Sequence, residues 1–362
     1  MRYSVVLGTR PETVKMSPIV RQLQHDGEEF DLVHTGQHYS YDMDQVFFQD
    51  LRLPEPTVNL EVGSGPHGAQ TGRMLIGLEG FLHKSRPDLV LVQGDTNTVL
   101  AGALAAAKLG IAVGHVEAGL RSFDRSMPEE INRVLADHLS DLLFAPTGVS
   151  AENLRREGLT RGVHVTGNTI VDAVRQNLHL AGERGDALRE LGLRNKGFVL
   201  TTMHRQENVD SPARMANVLR SLEEVADETG LEVIWPMHPR TKRNLESFRL
   251  EMPGAVRVIE PLGFMRFLQV EARAALVLTD SGGLQEECCI LGVPCVTMRE
   301  STERPETVQV GANVVVGTDP ARVLEGVRRM IGSRRDWSCP LGTEGAGSRI
   351  VMICREFRKT EA

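Results

Sequence analysis

Three carboxylates stand where short apolar runs give out. Asp95 follows such a run in Gln93-Gly94-Asp95-Thr96-Asn97-Thr98, Glu117 ends another in His115-Val116-Glu117-Ala118-Gly119-Leu120-Arg121, and Glu129 opens a helical stretch in Met127-Pro128-Glu129-Glu130. Acids at strand ends in an apolar-walled cleft act as general acid, general base or charge stabiliser, according to how their surroundings tune them. Taken singly, Asp95 reads as an N-cap, Glu117 as a partner for Arg121 and Glu129 as a helix-start acid. The trio is expected to converge, and convergence points to proton transfer. His204, in Thr202-Met203-His204-Arg205-Gln206-Glu207-Asn208, follows a further strand and can donate to a leaving phosphate. His238, between Pro236 and Pro239, reads equally well as part of a structural turn.

A second group of residues suits an anion. Val277-Leu278-Thr279-Asp280-Ser281-Gly282-Gly283 leads into Leu284-Gln285-Glu286-Glu287-Cys288, a buried strand, a small-residue turn and then a helix. Free N–H groups at a helix start favour phosphate, and the alternative is a plain Ser N-cap. Arg299 and Arg304 lie in a charged loop after the next strand, where an arginine grips a diphosphate bidentately or pairs with its Glu neighbours. At the N-terminus, Val6-Leu7-Gly8-Thr9-Arg10-Pro11-Glu12 joins a strand to a helix. Arg10 and Lys15 are poorly placed there for the dipole unless an anion is bound. The run Gly63-Ser64-Gly65-Pro66-His67-Gly68 spells a dinucleotide fingerprint. The preceding 57–62 alternates apolar and polar residues and lacks the buried first strand such a site needs, so a glycine-rich surface loop is expected. No H-E-x-x-H, clustered His/Cys set or G-x-S-x-G is present, so no metal and no serine nucleophile is expected.

The elements that must hold these groups follow from periodicity. Short β-branched runs at 3–7, 31–35, 89–93, 112–117, 142–145 and 164–165 alternate with amphipathic stretches, as do 198–202, 232–236, 256–259, 275–279, 295–298 and 313–316. This is an α/β pattern with parallel sheets, read as two Rossmann-like, doubly wound domains facing across a cleft. The expected domains are 1–170 and 171–345, with a last helix at 348–359. Ligands of open α/β sheets sit beyond the carboxyl ends of the strands, where all the groups above lie.

Composition removes other classes. The chain has 362 residues, with 41 Lys+Arg against 48 Asp+Glu, so a net charge of -7 argues against binding a nucleic acid polymer. No apolar run reaches the ~18 residues of a membrane helix, and the start lacks a secretory pattern, so residence in the cytoplasm is expected. The 5 cysteines have no C-x-x-C pairing and read as small buried hydrophobes.

Taken together, GTRPE, QGDTNT, HVEAGLRS, PEEINR, VTGNTIVDA, HRQENVD, DSGGLQEE and STERPE, in this order over nearly the whole chain, resemble the non-hydrolysing UDP-N-acetylglucosamine 2-epimerase family. The resemblance implies a glycosyltransferase-B type fold, a C-terminal helix that crosses back to the first lobe, a homodimer and no cofactor. It assigns Asp95, Glu117, Glu129 and His204 to catalysis, and Arg10, Lys15, Phe267, Ser281, Gly282, Gly283, Glu287 and Arg304 to the UDP-sugar, with Glu287 on the ribose hydroxyls. There are two departures. Where members activated by a second substrate molecule read QHR before a polar residue, this chain has Gln37-His38-Tyr39-Ser40-Tyr41, so allosteric activation is not carried over. Leu262 replaces a glutamine near the base, which leaves base recognition to backbone groups.

The implied reaction explains the residue types. The hydrogen on carbon 2 has no adjacent carbonyl to acidify it, so elimination of UDP to a glycal, reprotonation on the other face and return of UDP form the expected route. Rival readings are a hydrolysing epimerase, an epimerase of a related UDP-diacetamido sugar, a retaining glycosyltransferase of the same fold and a non-catalytic nucleotide-sugar sensor.

Overall fold

Runs of Val, Leu and Ile bury on both faces, which only a parallel sheet between helical layers permits. The computed structural model describes residues 1–37 and 47–357, and His38–Tyr41 of the departure noted above lies outside them. The chain divides into two units, Met1–Ala173 with the chain from Leu341 onward, and Val174–Pro340.

In the first unit β1 (Arg2–Leu7), β2 (Glu29–His34), β3 (Val58–Asn59), β4 (Leu89–Gln93), β5 (Ala112–Val116), β6 (Leu142–Ala145) and β7 (Val163–Val165) form a parallel sheet in the order β3-β2-β1-β4-β5-β6-β7. Val5 pairs with Leu32 on one side and Leu91 on the other. The second unit has β8 (Phe198–Thr202), β9 (Glu232–Pro236), β10 (Val256–Ile259), β11 (Leu276–Thr279), β12 (Cys295–Thr297) and β13 (Asn313–Val315), in the order β10-β9-β8-β11-β12-β13. Each is a Rossmann-like doubly wound sheet whose order reverses once, between β1 and β4 and between β8 and β11, and such switch points open crevices at the strand ends.

Strand order is held by cores on either face. Val6, Val90 and Val92 pack with Met74 and Leu78 in the first unit, and Val199, Trp235 and Leu278 with Met215 and Leu222 in the second. None of the five cysteines is in a disulfide, and four are buried. The 63–68 run is a largely exposed loop that enters helix His67–Ser85, and the strand before it is only the two-residue edge β3, paired to β2 through Val33 and Val58. That edge strand was not expected, because its alternating pattern buries too little to declare itself. Among the described residues no helix is long and apolar enough to cross a membrane.

The last helix, Ala346–Glu356, packs on helix Arg10–His25 within the first unit. Asp172 accepts from the N–H of Gly345 at 2.6 Å and of Gly347 at 2.8 Å, and Arg349 donates to the Thr166 carbonyl at 2.7 Å. The two Asp172 bonds close a helix start that carries no side-chain cap of its own.

Candidate active site

The first unit places Asp95 and Glu117 at the carboxyl ends of β4 and β5. Gly94, at φ 86°, turns the chain out of β4 in a conformation glycine adopts without strain, and Thr96 caps helix Asn97–Lys108. The cap is thus Thr96 rather than Asp95. Asp95 instead meets Arg133 at 2.6 Å, while Asn132 donates to its carbonyl at 2.9 Å.

Glu117 lies one residue past β5 at φ 73°, a left-handed conformation that is strained for a side chain with Cβ and is found at functional sites. It is 8% exposed. Lys15 reaches Oε1 at 2.6 Å, Asn168 reaches the same oxygen at 3.3 Å, and Gln93 donates to Oε2. Arg121 is not its partner: that guanidinium binds Asp137 at 2.7 Å and Glu157 at 2.7 Å. The loops of Asp95 and Glu117 adjoin, since a Cβ on Gly94 would stand 3.9 Å from Glu117 Oε2.

Glu129, in the first turn of helix Pro128–Leu139, is half-buried and makes no side-chain bond among the described residues. Its neighbour Glu130 is the anchored one. It accepts from the N–H groups of Ser122 at 2.9 Å and Phe123 at 3.0 Å and from Arg133 at 2.8 Å. Burial works to raise its pKa, and these donors outweigh burial and hold it below the ordinary range. Arg133 therefore joins the Glu129 helix to Asp95.

At the start of helix Arg10–His25, Glu12 folds back onto the N–H groups of Gly8 at 2.7 Å and Thr9 at 2.8 Å, completing a capping box with Thr9. Its other oxygen takes the Thr96 hydroxyl, so one carboxyl ties the β1 loop to the β4 loop. Burial pushes Glu12 up to about 7 against those bonds. Arg10, at the head of the helix, lies over the Phe47 ring at 5.4 Å.

The second unit holds the other expected residues. His204 follows β8 and is 58% exposed at its side chain, with Nδ1 3.0 Å from Asp280, which is fully buried. Asp280 also accepts from the N–H of Arg205 at 3.0 Å and from Asn208 at 3.1 Å. Burial opposes its charge, and His204 leads the groups that outweigh burial and hold Asp280 low. Ser281 caps helix Gly282–Leu291 by accepting from Leu284 N–H at 3.5 Å, so the plain N-cap role is real. The two glycines are another matter. Neither has a positive φ, and an added Cβ would meet nothing closer than 3.8 Å, so neither backbone nor packing demands them. What they leave is open access to the helix-start N–H groups.

Arg299 is committed to Glu303 at 2.7 Å, which holds Glu303 down at about 2. Arg304, partly exposed, pairs with Glu286 at 2.7 Å. Phe267 lies half-buried on helix Phe264–Ala272, and Leu262 packs into the same apolar cluster. Glu287 is half-buried above Glu271, which is fully buried and driven well up, first by burial and then by Glu287 itself. Among the described residues no group of three or more His, Cys, Asp or Glu could hold a metal ion.

A family model described as UDP-N-acetylglucosamine 2-epimerase matches residues 21–355. This chain belongs to that family. The UDP-N-acetylglucosamine 2-epimerase of Methanocaldococcus jannaschii is 50% identical over 361 residues, 98% of each chain. Its crystal structure in complex with UDP-GlcNAc and UDP superposes with a TM-score of 0.87, covering 99% of this chain and 100% of that one. The UDP-2,3-diacetamido-2,3-dideoxy-D-glucuronate 2-epimerase of Pseudomonas aeruginosa is 42% identical, covering 97% of this chain and 98% of its own. With two Rossmann-like units and such neighbours, the chain has the glycosyltransferase-B type fold expected of it.

The sequence reading named Asp95, Glu117 and Glu129 but not the groups that hold their loops. Arg133, Glu130, Glu12, Asn168 and Asp280 went unassigned. Two signals were present: Thr9-x-x-Glu12 spells a capping box, and Asp280 opens the DSGG string.

Proposed function

We propose that this chain interconverts UDP-N-acetylglucosamine and UDP-N-acetylmannosamine without net hydrolysis. The observation that carries the reading is the acid set of the first unit, held by named basic and amide partners in a chain half identical, end to end, to a UDP-N-acetylglucosamine 2-epimerase.

A carboxylate takes the proton from carbon 2 as the bond from carbon 1 to the diphosphate oxygen breaks, its electron pair leaving with UDP. This gives a 2-acetamidoglucal. An acid on the opposite face returns a proton to carbon 2, and UDP oxygen re-forms the bond at carbon 1. The sequence is redox-neutral, so it calls for no nicotinamide. Asp95 and Glu129 form the proposed pair. Both oxygens of Glu117 are taken by Lys15, Asn168 and Gln93, which suits a fixed charge facing the developing oxocarbenium better than a proton carrier. His204, oriented by Asp280, serves the leaving diphosphate. The turn Ser281-Gly282-Gly283 with Arg10, Lys15 and Arg304 binds the UDP-sugar, Glu287 holds the ribose and Phe267 adds a contact. A homodimer working in the cytoplasm completes the proposal.

A second reading keeps the mechanism and changes the sugar, favoured by the 42% identity to the diacetamido-glucuronate epimerase. Incubation of each UDP-sugar in heavy water, followed by NMR and mass spectrometry, tests both. Deuterium at carbon 2 with two epimeric UDP-sugars is expected from UDP-N-acetylglucosamine. Label only in the diacetamido sugar would transfer the assignment to that substrate. Free N-acetylmannosamine would mean hydrolysis, and unlabelled substrate would mean a transferase or a sensor.

A further inference from the structure

One buried group beside the acids has no part in the chemistry above. His115 is the fourth residue of β5 and is fully buried. Its Nδ1 lies 2.6 Å from Asp137 Oδ1 and its Nε2 lies 2.8 Å from the Gly94 carbonyl. A neutral imidazole carries one N–H and one lone pair, so either tautomer would turn a lone pair toward an acceptor. Asp137 cannot supply the missing proton, since its other oxygen already takes Arg121 at 2.7 Å and the Gly119 N–H at 3.1 Å, the surroundings of an ionised carboxylate.

We infer that His115 is a standing imidazolium and the positioning residue that seats the Asp95 and Glu117 loops. The inference rests on reading those two acids as working groups. The charges close locally. His115 and Arg121 are balanced by Asp137 and Glu157, the latter 2.7 Å from Arg121. The groups facing this pair are Asp137 from helix Pro128–Leu139, Glu117 and Arg121 from the loop after β5, and the Gly94 carbonyl from the loop of Asp95. Lys15 and Arg133 stand behind Glu117 and Asp95. Burial alone would strip the proton from His115. Asp137, the Gly94 carbonyl and Glu117 outweigh burial and raise its pKa. The influence is reciprocal, so the cation favours the ionised form of the acids next to it. The Nε2 proton also fixes the one carbonyl that sets where Asp95 points, and Asp137 fixes the Gly119 N–H two residues beyond Glu117.

The test is a ring-nitrogen NMR titration of the whole protein labelled in histidine with nitrogen-15, from about pH 6 to about pH 9, a window that spans the ordinary histidine pKa. One of the 11 histidines is expected to keep both ring protons throughout, and that signal is expected to vanish in His115→Gln. In Asp137→Asn the same ring is expected to begin titrating inside the window. In His115→Gln, kcat is expected to fall by about 10–100-fold with KM within about twofold, and the acid limb of the kcat–pH profile to move to higher pH. An unprotonated ring nitrogen on His115 at neutral pH overturns the charge. An acid limb superimposable on the parent's overturns the role, because a purely structural histidine would lower stability without moving that limb. Full activity in Asp95→Asn and Glu117→Gln, with His115 still doubly protonated, would sink the assignment of the acids and leave the charge standing, so the two failures are told apart.

Discussion

At the scale of single residues the three candidate acids differ in how tightly they are held, and this is the ground for the separate roles proposed for them. Glu117 is locked by three donors, Asp95 by one arginine, and Glu129 has no side-chain bond among the described residues. The Lys15–Glu117 pair is nearly buried, with side chains 13% and 6% exposed. Removing one partner of such a pair leaves a charge without compensation, which costs more than removing both. Lys15→Met is therefore expected to lower stability by about 1–3 kcal/mol. Adding Glu117→Gln should restore most of that loss in a urea titration while epimerase activity stays absent. Activity recovered together with stability would show that the pair only supports the fold.

At the scale of elements, the strands were legible because a fully buried parallel strand must be a short run of β-branched or aliphatic residues. The expected 89–93, 142–145, 198–202, 232–236 and 256–259 match the observed β4, β6, β8, β9 and β10. Asp95 and Glu117 were legible as candidates for a related reason, since they stand just past the ends of such runs, whereas Glu129 stands at a helix start. Their partners were not. Arg133 lies 38 residues from Asp95, Asp280 lies 76 from His204 and Asn168 lies 51 from Glu117, and no local pattern announces a bond across such separations. Glu12 falls between the two cases. Its capping box is local and readable, whereas its bond to Thr96, which joins the β1 loop to the β4 loop, is not.

Burial of the Glu12 carboxyl, working against its bonds to Thr96, Gly8 and Thr9, gives the helix cap a pH dependence. A carboxyl raised from 4.5 to about 7 in the fold contributes stability that is fully present below the unfolded value and is lost as pH rises through the folded one. The loss across this window is on the order of 3 kcal/mol. Glu12→Gln keeps an acceptor for the Gly8 and Thr9 N–H groups and removes the titration. Subtracting its pH–stability curve from the parent's isolates the group, because Glu130, Asp137 and Asp280, whose pKa values are lowered, act in the opposite sense and at lower pH. The difference curve is expected to decline between about 4.5 and about 7. Parallel curves would mean that Glu12 is ionised in the fold throughout.

At the scale of the whole molecule the chain leaves the first unit at Ala173, builds the second, and returns at Leu341 to finish the first. The first sheet's helical layer is therefore completed by residues that follow the second unit in the chain. Ile350, Val351 and Cys354 are buried there, and Arg355 pairs with Glu28 at 2.7 Å and Asp26 at 2.5 Å. Gly347 is the tightest point of this docking. A Cβ on it would lie 3.0 Å from the Pro18 side chain and 3.1 Å from the Pro18 backbone. Backbone cannot yield as a flexible side chain can, so Gly347→Val is expected to cost about 1–3 kcal/mol of overpacking. The cost should fall on one unit. Hydrogen exchange is the measurement that resolves it, because multidomain chains need not unfold in a single step. Protection is expected to drop in β1 and helix Arg10–His25 and to persist in β8 and β11. On the roles proposed above, UDP binding at the Ser281 turn should be retained while epimerisation declines with the seating of Arg10 and Lys15, both carried on the helix that Gly347 touches. Equal loss of protection in both units would contradict this, and would mean that the returning segment supports the chain as a single cooperative body.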